Sequence, residues 1–413
     1  MIRLVFALLF AAASLSAAVD SVSMGPGYAN QVWYQPGMVS TSSPQASWHL
    51  GFQSGMSATI IANDGLAGFK IYVVPNSTPT TYESVDTAGM STWTRLYNKP
   101  ATWTGALNTV ADPSSNVDYG WGKYNTASHE LAGERVYVLL MPDGTMWKLF
   151  IQSWIGFNYT IKYARLDGSE AHTGVIILNG IVEKTFIYWS FTDHASIDRE
   201  PPANGWDLTF LKYIEMVALG PGEPVPYPVV GVLARPGIKL AKVFGPEPSF
   251  IQPPPVSQFD TSASIIGYDW KTFNGTSYDI SDTSAYFILR RDGSMWKMVM
   301  TGFGGSATGT TYFNTEVVTT SVTDATTPNT NVIGIHPNIV GGSETVTVVF
   351  DASTPVHSVS IVDIAGRTMH NIASNLDAGM YALQVSTAGM AAGQYSVVVQ
   401  TVTHTITSTL IVR

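Results

Sequence analysis

The sequence predicts an all-β protein: two homologous antiparallel β domains in tandem, followed by a C-terminal β-sandwich. Val, Ile, Thr, Tyr, Trp and Phe recur in short runs that Gly, Pro, Asn and Asp interrupt, which is the pattern of strands joined by turns. Residues 345–350 (TVTVVF) and 358–364 (SVSIVDI) are two such runs. Helical periodicity is not sustained beyond the first 18 residues, so we expect no helix-rich domain.

An internal duplication predicts that the first two domains are copies. Residues 137–148 (YVLLMPDGTMWK) and 286–297 (YFILRRDGSMWK) agree at seven of twelve positions, and the two segments lie 149 residues apart. Upstream the spacing lengthens, but residues 47–52 (SWHLGF) still match residues 205–210 (GWDLTF). A duplication of this length indicates two copies of one domain, because solenoid repeats are far shorter.

Each copy also carries a hairpin signal. The Asp-Gly pairs at positions 143–144 and 292–293 each stand between two apolar runs. Glycine supplies the positive φ that a tight hairpin turn requires. We therefore expect a hairpin at the same place in both copies.

The chain begins like a secretory precursor. Arg3 precedes an apolar run over residues 4–13, and Ser16 and Ala18 are small residues at the −3 and −1 positions of a cleavage site. The run is too short to span a bilayer, so we expect residues 1–18 to be a signal peptide. No later stretch is long and apolar enough to predict a transmembrane segment.

Composition excludes several classes of site and partner. The chain has no cysteine, which excludes disulfides and thiolate metal sites. Only 12% of the residues are charged and the net charge is −9. We expect no nucleic-acid partner, because phosphate binding needs a basic surface.

These signals divide the mature chain into four segments. The two copies cover residues 19–178 and 179–322, with a Leu-Asn-Gly turn signal at their join. A linker rich in Thr, Ser, Asn and Pro covers residues 323–334, and a third domain covers residues 335–413.

The third domain resembles the C-terminal sorting domain of type IX secretion cargo. Four elements of that pattern occur in order: Pro337 and Asn338 at the first strand, a D-x-x-G-R turn from Asp363 to Arg367, a G-x-Y strand at residues 393–395, and a final apolar strand ending in a basic residue. The resemblance implies export by the type IX machinery to the medium or the cell surface. The alternative is an ordinary adhesive β-sandwich.

The two copies resemble the HmuY family of secreted or lipid-anchored haem-binding proteins. Residues 186–213 contain an aromatic strand, a polar connector and a W-D-L-x-F strand, and Trp296 and Lys297 follow the Asp-Gly turn of the later hairpin. The resemblance implies an all-β fold with haem or a haem protein as partner. The sequence departs from the family in lacking a lipid-anchoring cysteine and in having His49 at the aspartate position of the first copy.

A haem site needs a neutral imidazole or a thioether in an apolar slot. The two copies contain His49, His129, His172 and His194. His129 precedes the hairpin of the first copy and His172 follows it, so we predict that these two form a bis-histidine clamp for haem. The second copy has Tyr278 at the position of His129. The alternative is that each histidine is a solvated loop residue.

We expect no enzymatic activity. The segment HELAG from His129 lacks the second histidine of a zinc helix, no G-x-S-x-G elbow occurs, and carboxylates are sparse. The alternative to haem binding is a structural or adhesive surface protein. Contact with carbohydrate would require exposure of Trp33, Trp103 or Trp121, whereas repeated tryptophans are most simply core residues.

Overall fold

The computed structural model describes residues 18–54, 57–178, 184–318, 330–336, 339–342, 344–352, 354–364, 366–377, 379–401 and 405–413. It divides into two compact units, Met1–Thr319 and Thr320–Arg413. The prediction of an all-β protein is confirmed, since the α-helices of the described residues, Thr81–Ser84 and Gly305–Thr308, have four residues each. No helix in these ranges is long and apolar enough to cross a membrane. Residues 1–17 of the predicted signal peptide lie outside the described residues.

The strands of the first unit, in chain order, are β1 (Ala18–Ser23), β2 (Asn30–Tyr34), β3 (Thr41–Pro44), β4 (Leu50–Gln53), β5 (Ile60–Ala62), β6 (Lys70–Val73), β7 (Arg95–Leu96), β8 (Gly122–Asn125), β9 (Glu130–Gly133), β10 (Val136–Leu140), β11 (Met146–Ile155), β12 (Asn158–Arg165), β13 (His172–Ile177), β14 (Phe186–Ser190), β15 (Ala195–Ile197), β16 (Leu208–Val217), β17 (Val225–Ala234), β18 (Lys239–Phe244), β19 (Lys271–Phe273), β20 (Tyr278–Ile280), β21 (Ser284–Leu289), β22 (Met295–Phe303) and β23 (Thr310–Val317). Single 3-10 turns connect some of them, at Pro26–Tyr28, Gln45–Ser47, Met90–Thr92, Pro100–Thr102, Ala106–Asn108, Ala203–Gly205, Pro248–Phe250 and Val256–Gln258.

The first unit contains two lobes, each with its own hydrophobic core. In the first lobe, a sheet of order β13-β12-β11-β10-β6-β7, to which β9 and β8 attach through β11, faces a sheet of order β15-β14-β4-β5. Leu50 and Ile187 from the smaller sheet and Leu149 and Ile161 from the larger sheet are buried in one cluster. The lobe is therefore a β-sandwich whose apolar inner faces stabilise each other.

The second lobe repeats this arrangement. A sheet of order β1-β23-β22-β21-β18 and a sheet of order β17-β16-β2-β3 contribute to a second core, which includes Leu208, Leu240, Tyr286 and Phe313. β19 and β20 form a small additional hairpin against this lobe.

The repeated hairpin has the same register in both lobes. Trp147 of β11 and Trp296 of β22 occupy equivalent ladder positions opposite β10 and β21. The turn glycines Gly144 and Gly293 have φ of 83° and 82°, which is the left-handed conformation that the Asp-Gly signal predicted. Both second strands also carry a β-bulge at matching positions.

The lobes do not coincide with the predicted halves 19–178 and 179–322, because strand pairing crosses that division. β2 of the first copy pairs with β16 of the second copy, and β14 of the second copy pairs with β4 of the first. β1 likewise pairs with β23. The first lobe is therefore the continuous stretch β4–β15, and it is inserted between β3 and β16 of the second lobe.

The tryptophans of the repeated motif meet where the two lobes join. Trp48 and Trp206 are buried in one aromatic cluster together with Trp33 and Tyr188. The buried Arg199 guanidinium lies 4.9 Å from the ring centres of both Trp33 and Tyr188, which is a cation–π arrangement. Burial lowers the pKa of Arg199 to about 10, so its side chain is charged at neutral pH.

The strands of the C-terminal unit are β24 (Thr330–His336), β25 (Ile339–Val340), β26 (Thr345–Ala352), β27 (Val356–Asp363), β28 (Thr368–Leu376), β29 (Gly379–Ser386), β30 (Gly393–Thr401) and β31 (Thr405–Val412). They form a sheet of order β24-β26-β29 and a sheet of order β25-β31-β30-β27-β28, which share one apolar core. This unit is the predicted β-sandwich.

The turn motif of the C-terminal unit forms as predicted. Gly366 has φ of 76° in the turn between β27 and β28, and Arg367 Nε donates to Asp363 Oδ2 at 2.7 Å. Tyr395 of the G-x-Y strand is buried, and its hydroxyl donates to the Ala391 carbonyl at 2.8 Å. The predicted Pro-Asn motif at residues 337–338 lies outside the described residues.

Candidate functional site

Two clefts lie beside the repeated hairpin, one in each lobe. The histidine cleft of the first lobe has a volume of about 500 Å³, and its lining includes His49, Leu66, Met141, Trp147, Phe191 and His194. The arginine cleft of the second lobe has a volume of about 580 Å³, and its lining includes Gln35, Asn204, Asp207, Arg235, Arg290 and Arg291.

The sequence repeat shows that these clefts are the same site in two copies. Six lining positions can be matched through the 149-residue offset, the W-x-L-x-F motif and the G-x-K segments at residues 68–70 and 237–239. One pair, Asp143/Asp292, is unchanged, and the others differ between the copies: Ala46/Asn204, His49/Asp207, Leu66/Arg235, Met141/Arg290 and Pro142/Arg291. Three apolar side chains of the first cleft are therefore arginines in the second.

One histidine of the cleft lining, His194, stacks on the imidazole of His172. His172 begins β13 opposite Tyr163 of β12, and His194 lies in the turn between β14 and β15. Their ring centres are 3.8 Å apart and their planes differ by 17°. His194 has φ of 51°, a left-handed conformation that is sparsely populated outside glycine and often marks a functional position.

Aromatic side chains hold this pair in place. The Tyr163 hydroxyl lies 3.0 Å from His194 Nδ1, and the Tyr163 ring stacks on His172 with centres 5.2 Å apart. The Trp147 ring lies 6.0 Å from His194 and 6.2 Å from His172. Phe191 packs edge-to-face against Tyr163 with ring centres 4.8 Å apart.

The electrostatics of this cleft favour neutral imidazoles. Burial, and then repulsion from His172, lower the pKa of His194. Burial lowers the pKa of His49 to about 4, and its Nδ1 accepts the Phe191 backbone N–H at 3.1 Å. A neutral imidazole keeps a nitrogen lone pair, which is the form that coordinates metals.

One ion pair lies at the edge of the histidine cleft. The Arg165 guanidinium lies 4.4 Å from the Trp147 ring centre, and its Nε lies 3.3 Å from a carboxylate oxygen of the half-exposed Glu170. The cleft therefore has an arginine beside its aromatic wall, and the ion-pair partner of that arginine is a weakly held surface carboxylate.

The structure does not bring His129 to His172. His129 precedes β9, whose Leu131 lies opposite Trp154 near the end of β11, and its Nδ1 lies 2.9 Å from the Tyr124 hydroxyl. His172 lies beyond β12, level with Leu149, which is five residues along β11 from Trp154. Strand rise and strand spacing place the two histidines roughly 20 Å apart. His129 therefore lies in a loop at the end of the sheet opposite to His172.

The tryptophans considered for a carbohydrate platform are mostly core residues. Trp33 and Trp121 are buried at 1% and 0% exposure. Trp103 is half-buried, and its Nε1 donates to the Ala234 carbonyl at 2.7 Å. Among the described residues, no three His, Asp or Glu side chains converge as a metal site.

Comparison with protein families identifies the C-terminal unit. Residues 335–413 match the secretion system C-terminal sorting domain family. The chain gave no match to an HmuY-like family, and no curated protein matches it. The chain therefore carries a type IX secretion sorting domain, and the prediction of a secreted or cell-surface protein is confirmed.

Proposed function

We propose that this secreted or cell-surface protein is a non-catalytic binding protein whose histidine cleft captures haem. The observation that carries this proposal is His194, an exposed imidazole of lowered pKa that Tyr163 holds at the wall of an aromatic cleft. The resemblance of the repeated motifs to the HmuY family supports the same ligand class.

The apolar lining suits a flat, largely hydrophobic ligand. Leu66, Met141, Trp147 and Phe191 form much of the wall. A volume of about 500 Å³ is within the range of small-molecule sites. Exclusion of water by such walls strengthens coordination between an iron and an imidazole.

The stacked geometry supports one axial donor rather than a clamp. Each metal–imidazole bond is about 2 Å long, so two rings on opposite sides of an iron have centres well over 4 Å apart. The rings of His172 and His194 are 3.8 Å apart and leave no space for iron between them. We therefore assign His194 alone as the donor and His172 as its stacking partner, in place of the predicted pair His129 and His172.

In one tautomer of His194, the contact with Tyr163 leaves Nε2 available as a metal ligand. When Nδ1–H donates to the Tyr163 hydroxyl oxygen, the lone pair lies on Nε2, which has no hydrogen-bond partner among the described residues. A ligating histidine is commonly oriented by such a bond from its other ring nitrogen.

Arg165 accounts for the charge of the ligand. Haem carries carboxylates, and a guanidinium binds a carboxylate in a bidentate geometry. Arg165 is paired with the half-exposed Glu170, so a ligand carboxylate can replace that weak surface partner.

The test is a haemin titration of the full chain, followed by the Soret band. The wild type is expected to give a sharpened, red-shifted band, and His194→Ala is expected to weaken binding at least tenfold. His172→Ala should have a smaller effect, because it removes a stacking contact. The matched control His129→Ala removes a histidine of the same lobe and should bind like the wild type.

Equal binding by His194→Ala and His129→Ala would contradict the assignment. A wild type that gives no spectral change with haemin would leave the structural or adhesive function as the better account.

A further inference from the structure

We propose that the arginine cleft of the second lobe is a binding site for an oxyanion, a carboxylate or a sulfate, on an acidic saccharide. This site is distinct from the histidine cleft and does not depend on haem binding. Three positions of the sister cleft that are apolar, Leu66, Met141 and Pro142, are arginines in this one.

The cations of this cleft exceed the anions that neutralise them. Arg290 pairs with the buried Asp207 at 2.6 Å. Asp292 accepts the Ser294 backbone N–H at 2.9 Å and the Ser294 hydroxyl at 2.7 Å, which is a role internal to the hairpin turn. No ion pair joins Arg235 or Arg291 to a carboxylate among the described residues, although the charges of Asp207 and Glu200 act to raise the pKa of Arg235.

Backbone carbonyls fix the orientation of these guanidinium groups. Arg235 Nε donates to the Trp206 carbonyl at 2.8 Å, and Arg291 Nη2 donates to the Pro236 carbonyl at 3.0 Å. Each guanidinium has five N–H donors, so most donors of both arginines remain without a protein partner in the described part of the chain. The buried Arg235 in particular is already ordered, which reduces the side-chain freedom lost when it binds an anion.

Repulsion between the two arginines of the cleft supports a binding site for an anion. Burial, and then repulsion from Arg291, lower the pKa of Arg235. Arg235 is only 8% exposed to solvent. An anion between the two guanidinium groups would remove this repulsion and would be bound in a partly desolvated place.

The remaining lining favours a hydroxylated carrier of the anion. Asn204 contributes a side-chain amide to the same cleft, and so does Gln35, whose Nε2 donates to the Asn204 carbonyl at 3.2 Å. Amides hydrogen-bond well to sugar hydroxyls. A carboxylate-bearing or sulfated sugar satisfies both the arginines and the amides. The histidine cleft presents Leu66 and Phe191 instead and offers no such combination.

The test is calorimetric titration of the full chain with trigalacturonate, with a sulfated disaccharide and with maltotriose as the uncharged sugar. Binding of either anionic sugar, weakening as salt is raised, is expected, and maltotriose should not bind. The two anionic sugars distinguish a carboxylate from a sulfate as the preferred group. Arg235→Gln is expected to lower affinity at least tenfold, and Arg291→Gln is expected to have a similar effect.

Arg165→Gln, which removes a cation from the histidine cleft, is the matched control and should bind the anionic sugar like the wild type. Thermal unfolding of each variant establishes that it is folded. Unchanged affinity in Arg235→Gln, equal binding of maltotriose, or no binding of either anionic sugar would overturn the proposal. Haemin binding by Arg235→Gln should equal that of the wild type, which separates this test from that of the histidine cleft.

Discussion

At the residue scale, one position of the repeated motif shows how the two copies diverged. His49 and Asp207 each follow the tryptophan of a W-x-L-x-F motif, and both are buried. His49 is held neutral against Phe191, whereas Asp207 forms an ion pair with Arg290. A single substitution at one motif position therefore accompanies an apolar cleft in one lobe and a charged cleft in the other.

His49 is expected to make the protein less stable in acid. Its pKa is lowered from 6.5 to about 4 in the folded protein. Between these values the unfolded chain binds a proton that the folded protein does not, so stability is full above pH 6.5 and falls as pH decreases towards 4. The loss is about 3 kcal/mol. Urea unfolding at pH 7.5 and pH 4.5 should show a smaller loss in His49→Gln, and equal losses would contradict the pKa of His49.

The sequence identified His172 as a site candidate but not its partner. His194 lies 22 residues further along the chain, and the two rings meet only because β14 pairs with β4 while β13 pairs with β12. His129 was close to the hairpin in sequence, but β9 pairs with the far end of β11. Distance along the chain does not determine which end of a long strand a loop reaches.

At the element scale, the hairpins were predictable and the strand partners were not. An Asp-Gly turn determines local pairing, so β10–β11 and β21–β22 followed directly from the sequence. The first aromatic strands, β2 and β14, have similar patterns of large side chains. The sequence pattern therefore does not distinguish which W-x-L-x-F strand each of them pairs with.

The two lobes approach closely at Gly65, and this contact gives a test of the strand pairing between the copies. A Cβ at Gly65 would overlap the Lys212 carbonyl of β16, and two backbones cannot both move aside cheaply. Gly65→Ala is expected to destabilise the protein by about 1–3 kcal/mol, as overpacking does. Gly220→Ala, where a Cβ meets nothing within 4 Å, is the control. Equal stability of the two variants in urea unfolding would contradict the described contact.

At the scale of the whole molecule, the continuous lobe predicts which fragment folds. Residues 46–200 contain every strand of the first lobe, whereas residues 19–178 lack β14 and β15 and carry β1 without β23 and β2 without β16. The fragment 46–200 is expected to unfold cooperatively, and the fragment 19–178 is expected to lack a near-UV circular dichroism spectrum. Cooperative unfolding of 19–178 alone would instead support the predicted division at residue 178.

The sorting domain predicts the route of export. Deletion of residues 335–413, which match the sorting family, is expected to leave the protein in the periplasm of a type IX-competent host. Fractionation and immunoblotting of deleted and full-length chains measure this. Normal release of the deleted chain would show that another part of the protein directs its secretion.

The central functional claim is that His194 coordinates the iron of haem in the histidine cleft. The most direct measurement compares the affinities of the wild type and His194→Ala for haemin and for iron-free protoporphyrin. Apolar contacts with Trp147 and Phe191 act on both ligands, but an imidazole bond acts on haemin alone. We predict that His194→Ala weakens haemin binding at least tenfold and leaves protoporphyrin binding unchanged. An equal loss for both ligands, or no loss for either, would contradict coordination by His194.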